Sequence, residues 1–401
     1  LGMTRQIMRQ IWHRLTPLDV RKQAEVERIE ETALAFNQVA EMVLTFQQGD
    51  PLLGLYASVR GLNLAEQVGV SVPLAYTYGG VSWLLAATGQ KGLSKTYLSL
   101  AHEMFEQDVP DRAIPVGMFT MGLVYAGWGQ WDEAQTLATK CLQTANRNGD
   151  WRGWRQASGL NGDIAHFQGQ YTDAIEFYKG AHASSERIRD FTQIALQKSI
   201  WARSLFMLGD YAGAKQLADD AAMLDTSSMV MVNSNAVNIM YAHYEQDWQT
   251  LALLIQQFLE QSKESPIKIY VQYDGYVAAA DGALALFEQF PQNPDYRALA
   301  EMACSALEDF AKVYPLAQAR AILCNARLAN LKETDTARCS ADIQAAVEHA
   351  KSLNMQYEEA LASLYLGYIS EDSSHIDTAR AIFTELGIEW GLEQLNRLTN
   401  R

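Results

Sequence analysis

A six-residue phrase recurs along this chain at a fixed step, and that step constrains the fold more than any other feature. Gly129-Gln130-Trp131-Asp132-Glu133-Ala134 returns as Gly169-Gln170-Tyr171-Thr172-Asp173-Ala174 and again as Gly209-Asp210-Tyr211-Ala212-Gly213-Ala214, 40 residues later each time. Carried backwards, the same step lands on Gly89-Gln90 and Gly49-Asp50. The chain has 26 glycines in 401 residues, so five in register, each followed by Gln or Asp, mark a repeat. A second marker keeps the step, because Asp150 and Asp190 each stand just before the next helical stretch. Self-similarity of this length belongs to stacked arrays, in which each unit buries its apolar face only against its neighbours.

The unit is helical on both sides of its glycine. Ala174, Ile175, Phe177, Tyr178 and Ala181 fall at three- and four-residue steps, as do Ala134, Leu137, Ala138, Cys141 and Leu142, which is the stripe of a helix with one packed face. The preceding stretches, 116–128 and 194–208, are apolar enough to form a second, more buried helix. Glycine ends one helix in the left-handed conformation and the next begins at once. The short side chains of Ala134, Ala174 and Ala214 let paired antiparallel helices approach closely, with Trp131 or Tyr171 filling the wedge beside them.

Two-residue alternation is absent, so the expected fold is all-α: a right-handed α-solenoid of about nine antiparallel helix pairs. The solenoid is expected over 21–398, after an N-terminal segment 1–20. Its register is strict to about 225 and drifts over 226–350, where Asp247-Trp248 follows Asp210-Tyr211 by 37 residues and Asp295-Tyr296 follows by 48 more. Pro291, Pro294 and the stretch from Ser262 to Pro266 mark loops there. A last repeat and a closing helix near Trp390 to Leu398 occupy 355–398.

Composition removes several function classes. Forty-seven acids against 32 bases give a net charge of −15 with no block of five or six Lys/Arg, which disfavours nucleic acid as a partner. Cys141, Cys304, Cys324 and Cys339 lie far apart without a C-x-x-C pair, as expected of reduced cytoplasmic thiols. The seven histidines form no H-E-x-x-H and no i, i+4 pair, so no metal site is expected. No apolar run approaches the ~18 residues of a membrane span, and Arg5, Gln6, Arg9 and Gln10 interrupt any secretory core. Leu1-Gly2 ahead of Met3 reads as a cloning remnant or as a cut point, the latter making the chain a piece of something longer. Gly89-Gln90-Lys91-Gly92 lacks the order of a phosphate loop and sits on an inter-helix turn, and no G-x-S-x-G is present. A non-enzymatic protein without cofactors is expected. Most of the nine tryptophans are assigned to core filling, with Trp151 and Trp154 as the exposed pair.

Position by position the repeat resembles the tetratricopeptide pattern. Gly162, Gly169, Tyr171, Ala174, Tyr178 and Ala181 occupy six of its seven marked places and Ala165 departs at the seventh. The unit before gives Gly122, Tyr125, Gly129, Trp131 and Ala134, then departs at Ala138 and Cys141; a C-terminal unit gives Gly367, Ile376, Ala379 and Phe383. The resemblance is strong over about 75–225 and 355–390. It implies that the first helix of each pair lines a concave groove, at Tyr76 and Trp83, then Phe119, then Asp163 and His166, then Arg203, then Asn233 and His243. Arg203 is the one fixed cation among these places, which suits a carboxylate or phosphate of an acidic peptide or anionic metabolite; an ion pair with Asp163 between adjacent helices is the competing reading. A lone Arg does not match the carboxylate clamp of chaperone-binding members.

A second resemblance concerns texture. Asp50-Pro51-Leu52-Leu53-Gly54-Leu55-Tyr56-Ala57 running into Arg60-Gly61-Leu62-Asn63-Leu64-Ala65-Glu66, and the close Ala379-Arg380-Ala381-Ile382-Phe383-Thr384-Glu385-Leu386-Gly387, look like the C-terminal helical region of large bacterial signal-transduction ATPases, the MalT-like regulators and ATPase-cyclase fusions. That resemblance implies a sensor that binds a protein, a peptide or a small-molecule inducer. The alternative is a free-standing tetratricopeptide receptor for a short peptide, and a hydrolase hidden in a helical array is a third reading.

Overall fold

A computed structural model describes residues 2–15, 23–45, 50–107, 109–264, 267–332 and 336–399. Gly49 of the repeat series, residues 16–20 of the N-terminal segment and the Ser265-Pro266 end of one expected loop lie outside them. Among the described residues there is no strand, and twenty α-helices carry the chain. The all-α expectation holds.

Three helices come first: α1 (Gly2–Leu15), α2 (Gln23–Ala40) and α3 (Pro51–Val68). Helical hairpins follow, as α4 (Val72–Ala87) with α5 (Lys91–Phe105), α6 (Ala113–Gly127) with α7 (Trp131–Asn148), α8 (Trp151–Phe167) with α9 (Tyr171–Ile188), and α10 (Phe191–Met207) with α11 (Tyr211–Leu224). The later hairpins are α12 (Ser228–Tyr244) with α13 (Trp248–Glu264), α14 (Tyr273–Gln289) with α15 (Pro294–Val313), α16 (Gln318–Leu331) with α17 (Thr336–Ser352), and α18 (Gln356–Ser370) with α19 (Ser373–Glu385). Helix α20 (Glu389–Thr399) closes the chain. The N-terminal segment contains a helix of its own, and one expectation is corrected: Ser262 to Glu264 continue α13 instead of forming a loop.

The 40-residue step is a backbone event. Gly89, Gly129, Gly169 and Gly209 have φ of 76°, 72°, 86° and 90°, the left-handed region that only glycine enters without strain. The amide after each turn then reaches back to close it, Gln170 N to Ala165 O at 2.8 Å and Asp210 N to Leu205 O at 3.1 Å. Where the sequence register drifts, the same turn persists on other residues. Gln246 and Glu371 take φ of 57° and 56°, and Asp247 N to Ala242 O at 2.9 Å and Asp372 N to Gly367 O at 3.1 Å repeat the closure. The following Asp also keeps its task, since Asp210, Asp247 and Asp372 each accept a backbone N–H of the helix they begin, as helix N-caps do.

Within a hairpin the close-packing positions behave as their size requires. Ala134, Ala174 and Ala214 are fully buried. A β-carbon on Gly162 would lie 2.5 Å from the Tyr178 ring, so the marked glycine of α8 exists to receive the marked aromatic of α9. All four cysteines are buried. Of the tryptophans, Trp83, Trp128, Trp131 and Trp390 are buried, Trp12 and Trp151 are exposed, and Trp154 is half-buried, so it does not form an exposed pair with Trp151.

The chain divides into two compact units, one of residues 1–126, 131–160 and 227–229, the other of 127–130, 161–226 and 230–401. In the first, α1 is seated by its polar face. Gln10 donates to Asn63 and to Glu66 at 3.1 and 2.7 Å, and His13 meets Glu66 at 2.7 Å, while Met8, Trp12 and Leu15 face outwards. In the second, the turn glycines meet the C-terminal helices. Gly129 faces Leu353, Gly169 faces Tyr357 and Leu386, and Gly209 faces Glu389. Helix α20 seals that contact, with Trp390 edge-on to Phe206 and Arg397 donating to the Tyr244 carbonyl at 3.1 Å.

Candidate functional site

Inside the second unit, charged side chains from the first helix of successive hairpins converge. Arg203 on α10 is 1% exposed. Its Nη1 donates to Asp274 Oδ2 at 2.5 Å and to the Val271 carbonyl at 3.0 Å, and its Nη2 lies 3.8 Å from Asp163 Oδ1. Asp163 accepts from the hydroxyls of Tyr178 at 2.8 Å and Tyr270 at 2.7 Å. His166 touches Asp274 through Nε2 and Ser204 Oγ through Nδ1, an arrangement that a neutral ring satisfies by donating to the carboxylate and accepting from the hydroxyl. Arg203 is thus ion-paired within the fold, and its shorter contact is to Asp274, on a helix the repeat register did not reach.

A second cluster continues from the first. Arg320 on α16 uses Nε and Nη2 to grip Glu358 at 2.6 and 2.9 Å, and Nη1 to reach Asp281 at 2.5 Å. Arg327, two turns later, donates to the other oxygen of Asp281 at 2.6 Å, and Tyr273 donates to Glu358 at 2.5 Å. Tyr357 lies against the Arg320 guanidinium and Tyr365 against that of Arg327. Ion pairs with this many satisfied bonds offset the desolvation of their charges, and removing one member leaves the others buried and unpaired.

The protonation states follow from this geometry. Burial alone would raise Asp274, but Arg203 and His166 outweigh it and hold the carboxyl at about 2. Asp281 is likewise held below its ordinary range, because Arg320 and Arg327 overcome its burial. Asp163 goes the other way, raised by burial that Arg203 and the tyrosine hydroxyls only partly counter. His243 is pushed down to about 4 by burial, with Arg397 adding to the effect.

These groups border a cleft of about 570 Å³, measured to its open mouth, between His166, Tyr171, Met240, Asp274, Tyr357 and Trp390. A second hollow of about 830 Å³ shares His243 and Asp281 with it and extends past Glu288, Arg327 and Arg397. Together they form a trough along one stripe of α14, in which Asp274, Ala278, Asp281, Ala285 and Glu288 follow one another at four- and three-residue steps.

Of the residues expected in a groove, Asp163, His166 and Arg203 meet in one network, and His166 and His243 line one cleft. Asn233 is buried in α12 at 1% exposure and is not among the residues lining either hollow. Tyr76, Trp83 and Phe119 belong to the first unit. There Tyr76 donates to Glu41, which also pairs with Arg152, Trp83 is buried with no hydrogen-bond partner on its indole nitrogen, and Phe119 is half-buried. Sequence reading missed Asp274, Asp281, Arg320, Arg327 and Glu358. A signal was available: Asp274/Asp281, Arg320/Arg327 and Glu358/Tyr365 are each seven residues apart, two turns on one face of a helix.

Among the described residues no group of His, Cys, Asp or Glu is arranged to hold a metal, and no helix is long and apolar enough to cross a membrane. No protein-family model matches the chain, and no curated protein matches it. Among solved structures it is similar to a Rap protein complexed with competence and sporulation factor, at 12% identity and a TM-score of 0.48, over 87% of this chain and 99% of that one.

Proposed function

We propose that this chain is a non-enzymatic binding scaffold of tetratricopeptide-like helical hairpins, the sensor portion of a bacterial signal-transduction protein, and that the trough along α14 receives its ligand. The observation behind this reading is that α14, α16 and α18 bring ionised, mutually paired side chains to the border of an open space, with Arg203 of α10 paired to Asp274, where apolar packing would close it. A core built for stability alone fills to crystal-like density with hydrocarbon, whereas a recognition site keeps a concave space with a few placed polar groups. A sensor also needs its ligand to touch several units at once, and the trough draws its walls from α8, α9, α10, α12, α14, α16, α18 and α20.

The test is selection of a displayed random-peptide library on the purified chain, followed by calorimetric titration of the enriched peptides against Tyr357→Ala and the space-filling, uncharged Met240→Trp. Binding that is lost in both variants supports the trough; binding that survives both, or a failure of any peptide to enrich, removes it. For the sensor assignment, the complete open reading frame is decisive: an ATPase in frame with this chain supports it and a start at Met3 with nothing upstream overturns it.

A further inference from the structure

Resting on the reading of the trough as the binding site, the charges of its walls go further and indicate which ligand it takes. The two hollows are bordered by four carboxylates, Asp274, Asp281, Glu288 and Glu358, and three guanidiniums, Arg320, Arg327 and Arg397, leaving one net negative charge with the histidines neutral. The charges are also layered. The Asp274 and Asp281 side chains are 16% and 15% exposed, while that of Arg320 is 0% and that of Arg327 is 9%. Arg320 and Arg327 therefore lie behind Asp274 and Asp281, and a ligand in that stretch of the trough meets those two carboxylate edges first, while Glu358 is 5% exposed and Arg397, bordering the second hollow, is 27% exposed. Each carboxylate has about four acceptor sites, more than the two hydrogen bonds that Asp281 accepts from Arg320 and Arg327 or those that Asp274 makes with Arg203 and His166.

We infer that the trough binds a linear aliphatic polycation, a chain of hydrocarbon carrying ammonium or guanidinium groups. Asp274, Asp281 and Glu288 are spaced seven residues apart on α14, about 10.5 Å at the helical rise, with Ala278 and Ala285 between them leaving room for methylenes. Every third side chain of an extended peptide repeats at nearly the same distance, about 10 Å, as do the ends of a linear triamine. Tyr171, Tyr357 and Trp390 add aromatic surface at one end, which attracts cations through the negative ring face. An acidic peptide, the ligand suggested by Arg203 in sequence, would meet this wall with like charge.

The experiment is calorimetric titration of the whole chain with spermidine, with a capped peptide Lys-Ala-Ala-Lys-Ala-Ala-Lys, and with the same peptide carrying Glu in place of Lys. Spermidine or the lysine peptide should bind and the glutamate peptide should not; whichever cation binds more tightly identifies a free polyamine or a basic segment as the source. Ala285→Lys places a cation inside the trough and should weaken binding by about tenfold or more, a loss of ~1.4 kcal/mol, whereas Ala285→Gln, similar in bulk, should weaken it far less. Glu288→Gln provides the same reading without added bulk. Exposed Asp132→Asn controls for diffuse attraction to an acidic protein. Equal weakening by Asp132→Asn and Glu288→Gln, or glutamate-peptide binding as tight as lysine-peptide binding, overturns the inference. If neither cation binds while library-selected peptides still lose affinity in Tyr357→Ala, the charge inference fails and the trough survives; if no selected peptide binds either, the trough itself fails.

Discussion

The hairpins α8–α11 and the hairpins α12–α19 have one architecture and two kinds of sequence. In the first set the turn is written as glycine, at Gly169 and Gly209; in the second Gln246 and Glu371 hold the same left-handed backbone and the Asp after each still caps its helix. The first set carries the recognisable pattern, and the second contributes most of the charged trough, Asp274, Asp281, Arg320, Arg327 and Glu358. Conformation is thus conserved along the array while chemistry is not. The units least like the repeat are those that carry the buried charges, consistent with local rules yielding where side chains take on tasks beyond packing.

The largest expected effect falls in the drifted hairpins. Arg320→Ala leaves Glu358 and Asp281 without three bonds and should cost ~3–5 kcal/mol. Arg203→Ala and Asp163→Ala should lower the melting temperature in parallel, because each breaks the same network. Denaturant unfolding of the three variants checks this, and a wild-type midpoint for Arg320→Ala would show that the network contributes specificity alone.

Next in size is the hairpin contact of the regular set. Ala174→Trp overpacks a fully buried site and should cost ~1–3 kcal/mol or more, against no more than ~0.5 kcal/mol for exposed Glu176→Ala. Equal melting shifts would place the register wrongly.

Smaller still, the turns themselves can be exchanged. Gly209→Ala forces a side chain into φ of 90° beside Glu389 and should destabilise by ~1–2 kcal/mol, whereas Gln246→Gly should be neutral or stabilise by up to ~1 kcal/mol. A loss of stability in Gln246→Gly would mean that its side chain, and not only its backbone, holds the turn.

The smallest effect near neutrality is electrostatic. His243 is held neutral, at about 4 against an ordinary 6.5, so the unfolded chain takes up its proton first and stability should fall as pH drops from 6.5 towards 4. Asp274, held at about 2 against 3.8, favours the native state above 3.8 and loses that contribution between 3.8 and 2. Thermal melts across pH should show two separate windows, with His243→Gln flattening only the upper one.

Helix type, hairpin length and the close-packing alanines were legible in sequence because each is a local property with a fixed period. The groove was legible only while the period lasted. Asp163, His166, Arg203 and His243 were found because their units keep register with Gly169 and Gly209, and Asp274 was not because α14 begins with a 3₁₀ turn, Tyr270–Gln272, that offsets the count. The pairing of Arg203 with Asp274 was illegible for a different reason. The two lie 71 residues apart, and a charge's counterion across two hairpins leaves no trace in the spacing around either residue.

The contacts of Gly169 and Gly209 with Leu386 and Glu389 bear on how the second unit folds. An open array folds by propagation, each unit docking on the last, with low contact order and little memory of its far end. Here Arg397 reaches a carbonyl 153 residues upstream, so the final step closes a very long loop. Refolding should therefore show a late phase that depends on α20, and a chain lacking the eleven residues of that helix would hold its early hairpins still waiting for their clasp.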